Sequence, residues 1–195
     1  MSHTDDVPRR ALWVARFSLW AAPHPGRELR RRNNRIDVFF QRRFGRSLSS
    51  LVSGLPMLLL TTRGRRTGLP RIVALAYARI DDTIYVVGGD HGAAEHPQWF
   101  RNLAADPNVE IETGRSRHRA RAVPVEGEDR ERLWPRLAVL LPVIDLYRAR
   151  TCREIPVVRL HIEDGPVSTQ RRGEAAPSRP IGSTNPSAGT GCAGR

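Results

Sequence analysis

MLLLTTRGRRTGLPRIVALAY, residues 57–77, places two apolar segments on either side of a basic turn. Met57 to Leu60 and Ile72 to Tyr77 are rich in branched and apolar residues and predict strands, which makes Thr61 to Arg71 their connection. That connection carries Arg63, Arg65, Arg66 and Arg71 with Gly64 and Gly68. Guanidinium forks and backbone N–H groups converging at the end of a sheet form a cradle for phosphate or carboxylate oxygens. A plain soluble hairpin is the alternative for the same residues. A Walker A motif is excluded, because no Lys-Ser/Thr pair follows the glycines and no long helix follows the turn.

Working outward, strands are predicted at Met57–Thr62, Ile72–Ala78, Thr83–Gly88, Val109–Thr113, Arg117–Val125 and Ile155–Ile162, with Asp81-Asp82 as a hairpin turn. Helices are predicted at His96–Ala105, at Glu128–Leu140 with a kink at Pro135, and at Val143–Arg150. Six strands without strict βαβ alternation favour a mainly β protein with flanking helices (α+β), built as a small antiparallel barrel.

Three regions separate by composition. Residues 1–50 hold 11 Arg against 4 acids, residues 51–164 hold 17 against 15, and residues 165–195 hold 4 against 1. The net charge of +12 therefore sits mainly outside a nearly neutral core, and all 32 basic residues are Arg. The first region reads as a basic amphipathic helical arm: Leu12, Trp13, Phe17 and Trp20 on one short helix, then a second helix over about Arg27 to Arg46. This second helix either covers the core with its arginines solvated, or lies on anionic lipid or gates a greasy substrate channel, and the same charge pattern makes nucleic acid a less favoured partner. Residues 51–164 are the barrel domain, and residues 165–195 have the composition of a disordered tail. Cys152 and Cys192 form no metal spacing or disulfide framework. No secretory signal or spanning segment is expected, which points to a cytoplasmic protein with peripheral contact to the inner membrane face.

Gly88-Gly89-Asp90-His91-Gly92 follows a predicted strand and leads through His96-Pro97 into Gln98-Trp99-Phe100-Arg101-Asn102. Small residues there would let a flat ligand approach the backbone, the next helix offers free N–H groups, and Trp99 and Phe100 would wall the site or anchor the core. His91 and His96 lack further ligands at metal spacing, so His91 is expected on the surface and His96 at the turn before Pro97, with no metal site. Glu128-Asp129-Arg130-Glu131-Arg132 is expected as a solvated helix face.

Taken in order, the Thr-Thr-x-Gly-Arg-x-Thr-Gly-x-Pro-Arg loop, Tyr85-Val86-Val87, His96-Pro97-x-Trp99-Phe100-x-Asn102-Leu103, Asp106-Pro107-x-Val109, Trp134 and Tyr147-x-x-x-Thr151-x-Arg153-x-Ile155-Pro156-Val157 resemble the deazaflavin-dependent nitroreductase-like family. The resemblance spans about Met57 to Leu160 and implies an FMN-binding-like split β-barrel that uses reduced coenzyme F420 as hydride donor. It implies that Arg65, Arg66, Thr67 and Arg71 hold the phosphate and glutamate tail. The ring would lie against Leu75, Tyr77, Val87, Gly88, Gly89 and Asp90, with Gln98, Trp99, Phe100 and Asn102 closing it. Tyr147, and after it Tyr77, would donate a proton or hydrogen bond to the acceptor.

Nitroimidazole-activating members of that family carry a Ser where this chain has Gly89 and tyrosines where it has Leu141 and Ile144. The resemblance therefore implies a more apolar substrate pocket, formed by Leu141, Ile144 and Tyr147, for a hydrophobic quinone-like, nitroaromatic or unsaturated acceptor. Bound FMN in place of F420, a non-catalytic cofactor carrier and a nucleic-acid module are the alternatives, and a homodimer is compatible with all of them.

Overall fold

The computed structural model describes residues 26–166. Helices α1 (Arg27–Phe44) and α2 (Leu48–Ser53) lead into β1 (Met57–Arg63), β2 (Pro70–Ile80) and β3 (Thr83–Val87). A 3-10 turn (Asp90–Gly92) and α3 (Gln98–Leu103) follow, then β4 (Asn108–Thr113), β5 (Ser116–Val125), α4 (Gly127–Leu140), α5 (Val143–Arg148) and β6 (Val157–Pro166). The six strands close into an antiparallel barrel in the order β1-β2-β3-β6-β5-β4. Closure leaves no full-length edge to pair with another chain.

Period-two alternation sends one face of every strand inward. Leu58, Leu60, Ile84, Val86, Val109, Ile111, Val158 and Leu160 form the interior, joined by Trp99 and Leu103 of α3. A second cluster lies on the outer wall, where Ile80, Tyr85 and Val157 pack under Trp134 and Leu137 of α4 and Leu141 and Ile144 of α5. Asp81 and Asp82 form a two-residue hairpin turn with φ of 49° and 61°, the paired left-handed conformation that matches strand twist and that Asp tolerates. Arg136 of α4 grips Asp81 at 2.9 and 3.0 Å, fixing the helix over that hairpin. Helix α4 runs through Pro135 as one element.

Strand β2 meets β3 only from Tyr77 to Ile80, so its first half is open on that side. Helix α1 serves the open edge: Asn34 Nδ2 donates to Ile72 O at 2.8 Å, and Asn34 Oδ1 accepts from Ala74 N at 2.9 Å. One amide thus stands in for a neighbouring strand. Asp37, also on α1, accepts from the backbone and hydroxyl of Ser49 at 2.9 and 2.6 Å and so anchors α2. The boundary expected at residue 50 falls inside α2, a helix that the apolar run Leu51 to Leu60 concealed. The helix expected over Leu12 to Trp20 lies outside the described residues, as does the tail beyond Pro166, while β6 reaches Pro166 itself.

Candidate cofactor site

The β1–β2 turn is wound around Gly64. Gly64 N donates to Leu69 O at 2.9 Å, and Gly64 O accepts from Thr67 N and Gly68 N at 3.1 and 2.7 Å. Gly68 sits at φ +67°, where a side chain would be strained. Helix α3 holds the turn from below. Buried Asn102 accepts from Arg65 N at 3.3 Å and donates to Thr62 Oγ1 at 3.1 Å, and Gln98 Oε1 accepts from Arg65 Nη1 at 2.9 Å. Asn102 and Gln98 therefore orient Arg65, a role different from the ring contact expected of them. Both are neutral amides, so they leave the charge of Arg65 uncompensated. Arg63, Arg66 and Arg71 are exposed and meet no carboxylate among the described residues.

The glycine-rich turn is built the other way. A Cβ on Gly88 would come within 2.6 Å of Pro156 Cγ, and one on Gly89 within 2.1 Å of Tyr147 Cδ2. Gly89 has ordinary helical φ and ψ of −65° and −41°, so only space demands glycine there. The room expected for a flat ligand beside these Cα atoms is filled by Pro156, Pro97 and Tyr147. Asp90, His91 and Gly92 follow with φ of 43°, 57° and 79°. His91 is half-buried, contrary to the expected surface position, and its ring meets that of Tyr147 edge-on at 5.6 Å.

Arg153 locks this turn. Its Nη2 donates to Gly88 O and Gly89 O, both at 2.9 Å, and its Nε donates to Ala93 O at 2.7 Å. Burial lowers its pKa from the ordinary arginine value. Burial, then the charges of Arg153 and Arg101, lowers the pKa of His96, so that its imidazole is neutral near pH 7. Arg130 holds the adjoining segment, donating to Ile155 O at 3.2 and 3.1 Å and stacking over Trp134 at 4.9 Å. It is buried, which corrects the reading of residues 128–132 as wholly solvated. Arg153 belongs to the motif quoted above, but neither arginine has a role assigned from sequence, because their partners are backbone carbonyls, 65 positions away for Arg153 and Gly88.

The two candidate tyrosines sit in different environments. Tyr77 packs with Leu75, Val73 and Phe100 against the barrel interior, whereas Tyr147 packs against the outer cluster. Burial first, and then the charge of Asp90, pushes the Tyr147 phenol up to about 12. Leu141 and Ile144, expected to line the substrate pocket, are each 2% exposed and belong to the outer core cluster. Trp99 is likewise a core anchor at 7% exposure. Val87 is half-buried beside the outer cluster. No group of three His, Cys, Asp or Glu converges among the described residues.

A closed split barrel with a donor-rich loop at one strand end has known counterparts. The family model described as F420H(2)-dependent quinone reductase matches residues 33–161. The chain belongs to that family. An F420H(2)-dependent quinone reductase of Mycobacterium tuberculosis H37Rv is 34% identical over 152 residues, which cover 74% of this chain and 97% of that protein. A solved F420H2-dependent reductase, FDR-A, is 31% identical with a TM-score of 0.50, covering 54% of this chain and 94% of its own. A solved chain described as a domain-swapped dimer matches with the same identity and TM-score, covering 54% of this chain and 80% of that one. The F420H(2)-dependent quinone reductase family is one of oxidoreductases, and this member takes reduced F420 as its cofactor. The Arg63–Arg71 loop fits that cofactor's anionic end on its donor set: four guanidinium groups with no carboxylate acceptor facing them among the described residues.

Proposed function

We propose that this protein passes a hydride from F420H2 to a flat hydrophobic acceptor of the quinone class. The observation that carries the reading is the uncompensated arginine loop clamped to α3 by Asn102 and Gln98. When bound, the reduced deazaflavin supplies a hydride at its ring carbon. Arg66, Arg71 and Thr67 bind the phosphate, and Arg65 is held in register by α3. Arg153 keeps the turn from Gly88 to Ala93 in one conformation. The Tyr147 hydroxyl, protonated throughout the physiological range, donates a hydrogen bond to the acceptor oxygen on which negative charge grows, and solvent supplies the proton that completes the hydroquinone. Leu75 and Tyr77 line the half-buried face of β2 against which the ring lies.

Fluorescence titration with oxidised F420, followed by F420H2 oxidation with a soluble naphthoquinone, tests this reading. Absence of binding at micromolar concentrations would remove it. Binding without turnover would replace it with a carrier role, and a flavin spectrum after extraction would replace F420 with FMN.

A second reading concerns where the enzyme works. Of the ten exposed large hydrophobic residues among those described, six (Leu29, Phe39, Phe44, Leu48, Leu51, Val52) belong to α1 and α2. Arginines 31, 32, 35, 42, 43 and 46 lie among them. Such a face suits peripheral contact with the anionic inner surface of a membrane, where hydrophobic quinones reside. No described helix is long and apolar enough to cross a bilayer. Salt-sensitive cosedimentation with anionic but not zwitterionic vesicles is expected, and equal recovery with both would remove this contact. Self-association is tested by light scattering on the purified chain.

A further inference from the structure

Asp90, His91 and Gly92 are successive residues at positive φ, 43°, 57° and 79°. Gly92 has no room for a side chain, since a Cβ there would come within 2.7 Å of Arg150 Cβ. At position 91 a glycine would serve the backbone with less strain, because a Cβ in this conformation crowds the following carbonyl. The side chain kept there is an imidazole, and its ring meets that of Tyr147 edge-on at 5.6 Å. His91 is half-buried, so the ring touches Tyr147 on one side and solvent on another. Non-glycine residues hold such conformations where the surroundings dictate them, and they gather at functional sites. Here Arg153 supplies the constraint through the carbonyls of Gly88, Gly89 and Ala93, on both sides of His91.

A hydride brings two electrons and one hydrogen, so a quinone-class acceptor becomes the anion of its hydroquinone, one proton short. The Tyr147 phenol, pushed up to about 12, is a weaker acid than a hydroquinone, whose phenolic groups titrate at about 10. Tyr147 can therefore hydrogen-bond to the acceptor oxygen, but it gives up its own proton only if another acid replaces it at once. The charged and titratable groups around the His91 turn are few. Asp90 lies on the turn itself, and its charge acts on both Tyr147 and Arg153. Tyr147 and Arg150 stand at the end of α5, and His96 lies beyond Arg153, at 3.5 Å from its Nη1. The other charged residues of α5 are turned to Trp134, Asp145 accepting from its Nε1 at 2.9 Å and Arg148 stacking over its ring at 5.2 Å. Of these groups, the imidazole of His91 is the acid of suitable strength whose ring contacts Tyr147.

We propose that His91 is a positioning residue that relays solvent protons to Tyr147 and, through it, to the acceptor oxygen. This deepens the hydride-transfer reading and rests on it. The Tyr147 O–H bond breaks as the O–H bond of the hydroquinone forms. An N–H bond of the His91 imidazolium breaks as the Tyr147 O–H bond reforms, directly or across one water, and solvent then reprotonates the imidazole. Only protons move in these steps, and the electron pair of the hydride stays on the product.

The experiment follows naphthoquinone reduction by F420H2 from about pH 5.5 to 8.5, across the imidazole range, in the native chain, His91→Gly, His91→Asn, Tyr147→Phe and the double variant His91→Gly, Tyr147→Phe. Gly and Asn both accept the left-handed conformation, so the urea midpoint and F420 affinity of the His91 variants are expected to hold. Native turnover is expected to fall a few-fold as pH rises and the imidazolium is lost, and each single variant to stay flat at the lower level. The double variant should lose no more than either single one, since both break the same path. Free imidazole should restore turnover at low pH to His91→Gly and not to Tyr147→Phe. A native profile without the limb, a limb that survives in both His91 variants, or losses that multiply in the double variant would overturn the relay while leaving hydride transfer intact. If urea midpoint and F420 affinity fall together with turnover in both His91 variants, the ring is a packing element and the relay also falls. Absence of F420 binding or of turnover in the native chain would remove the hydride-transfer reading itself, and the relay with it.

Discussion

The turn from Arg63 to Arg71 and the turn from Gly88 to Ala93 both leave barrel strands and both carry glycines, yet they are satisfied in opposite ways. In the first, the backbone is closed by its own hydrogen bonds and by Asn102, while the guanidinium groups of Arg63, Arg66 and Arg71 meet no carboxylate among the described residues. In the second, the carbonyls of Gly88, Gly89 and Ala93 are all taken by Arg153, and the space beside the glycines is taken by Pro156 and Tyr147. Affinity for an anion belongs where charges lack acceptors. Fixed geometry belongs where every group already has one.

The sharpest way to break this contrast is at Arg153. Arg153→Ala leaves three carbonyls without their charged donor and is expected to destabilise the turn by about 3 kcal/mol. Hydrogen exchange should rise over residues 88–96 and not over the barrel strands, and turnover should fall far more than F420 affinity. Lys cannot reproduce the fork, so Arg153→Lys should recover only part of the loss. An unaltered exchange pattern would show that the turn holds itself. Gly89→Ala comes next: overpacking against Tyr147 is expected to cost about 1–3 kcal/mol in urea unfolding. Combining it with Tyr147→Ala should return most of that cost, a coupling that two independent sites would not show.

On the open turn the expectations invert. Arg66→Ala and Arg71→Ala remove exposed, unpaired cations, so unfolding midpoints should stay put while F420 binding weakens about tenfold each, less so at high salt. A drop in stability with unchanged affinity would exchange the roles assigned to the two turns.

How far these roles were legible in the sequence differs between them. The open turn could be read because its four arginines and two glycines are contiguous, and the barrel because alternation is a local signal along each of six strands. At Gly88 and Gly89 the sequence shows a missing side chain, but only the fold shows that Tyr147, some sixty positions later, packs against Gly89. Arg153 and Arg130 were invisible as anchors because carbonyl oxygens carry no sequence identity. Leu141 and Ile144 were placed in the pocket by the resemblance alone, because an apolar side chain reads alike in a core and in a hydrophobic site. Helix α2 is six residues long, too short for a period to register, although Ser47 at its N-cap and Gly54 just after it mark its ends.

At neutral pH the smallest effect is expected from Tyr147→Phe, a loss of a few-fold in turnover from one hydrogen bond. Its diagnostic value lies at high pH. The phenol titrates near 10 in the unfolded chain and at about 12 in the folded one. Below pH 10 it is protonated in both states, so its ionisation contributes no pH dependence there. Between 10 and 12 the unfolded chain releases the proton while the folded one retains it. Stability therefore falls as pH rises through that window, by about 2–3 kcal/mol in total. Urea unfolding at pH 8, 10 and 11 should show this decline in the native protein and a smaller one in Tyr147→Phe. The same displacement means that turnover should show no basic limb from Tyr147 below about pH 11. A limb near pH 10 that disappears in Tyr147→Phe would mean that the hydroxyl titrates as if in water, and the sealed turn would then be open to solvent where Tyr147 covers it.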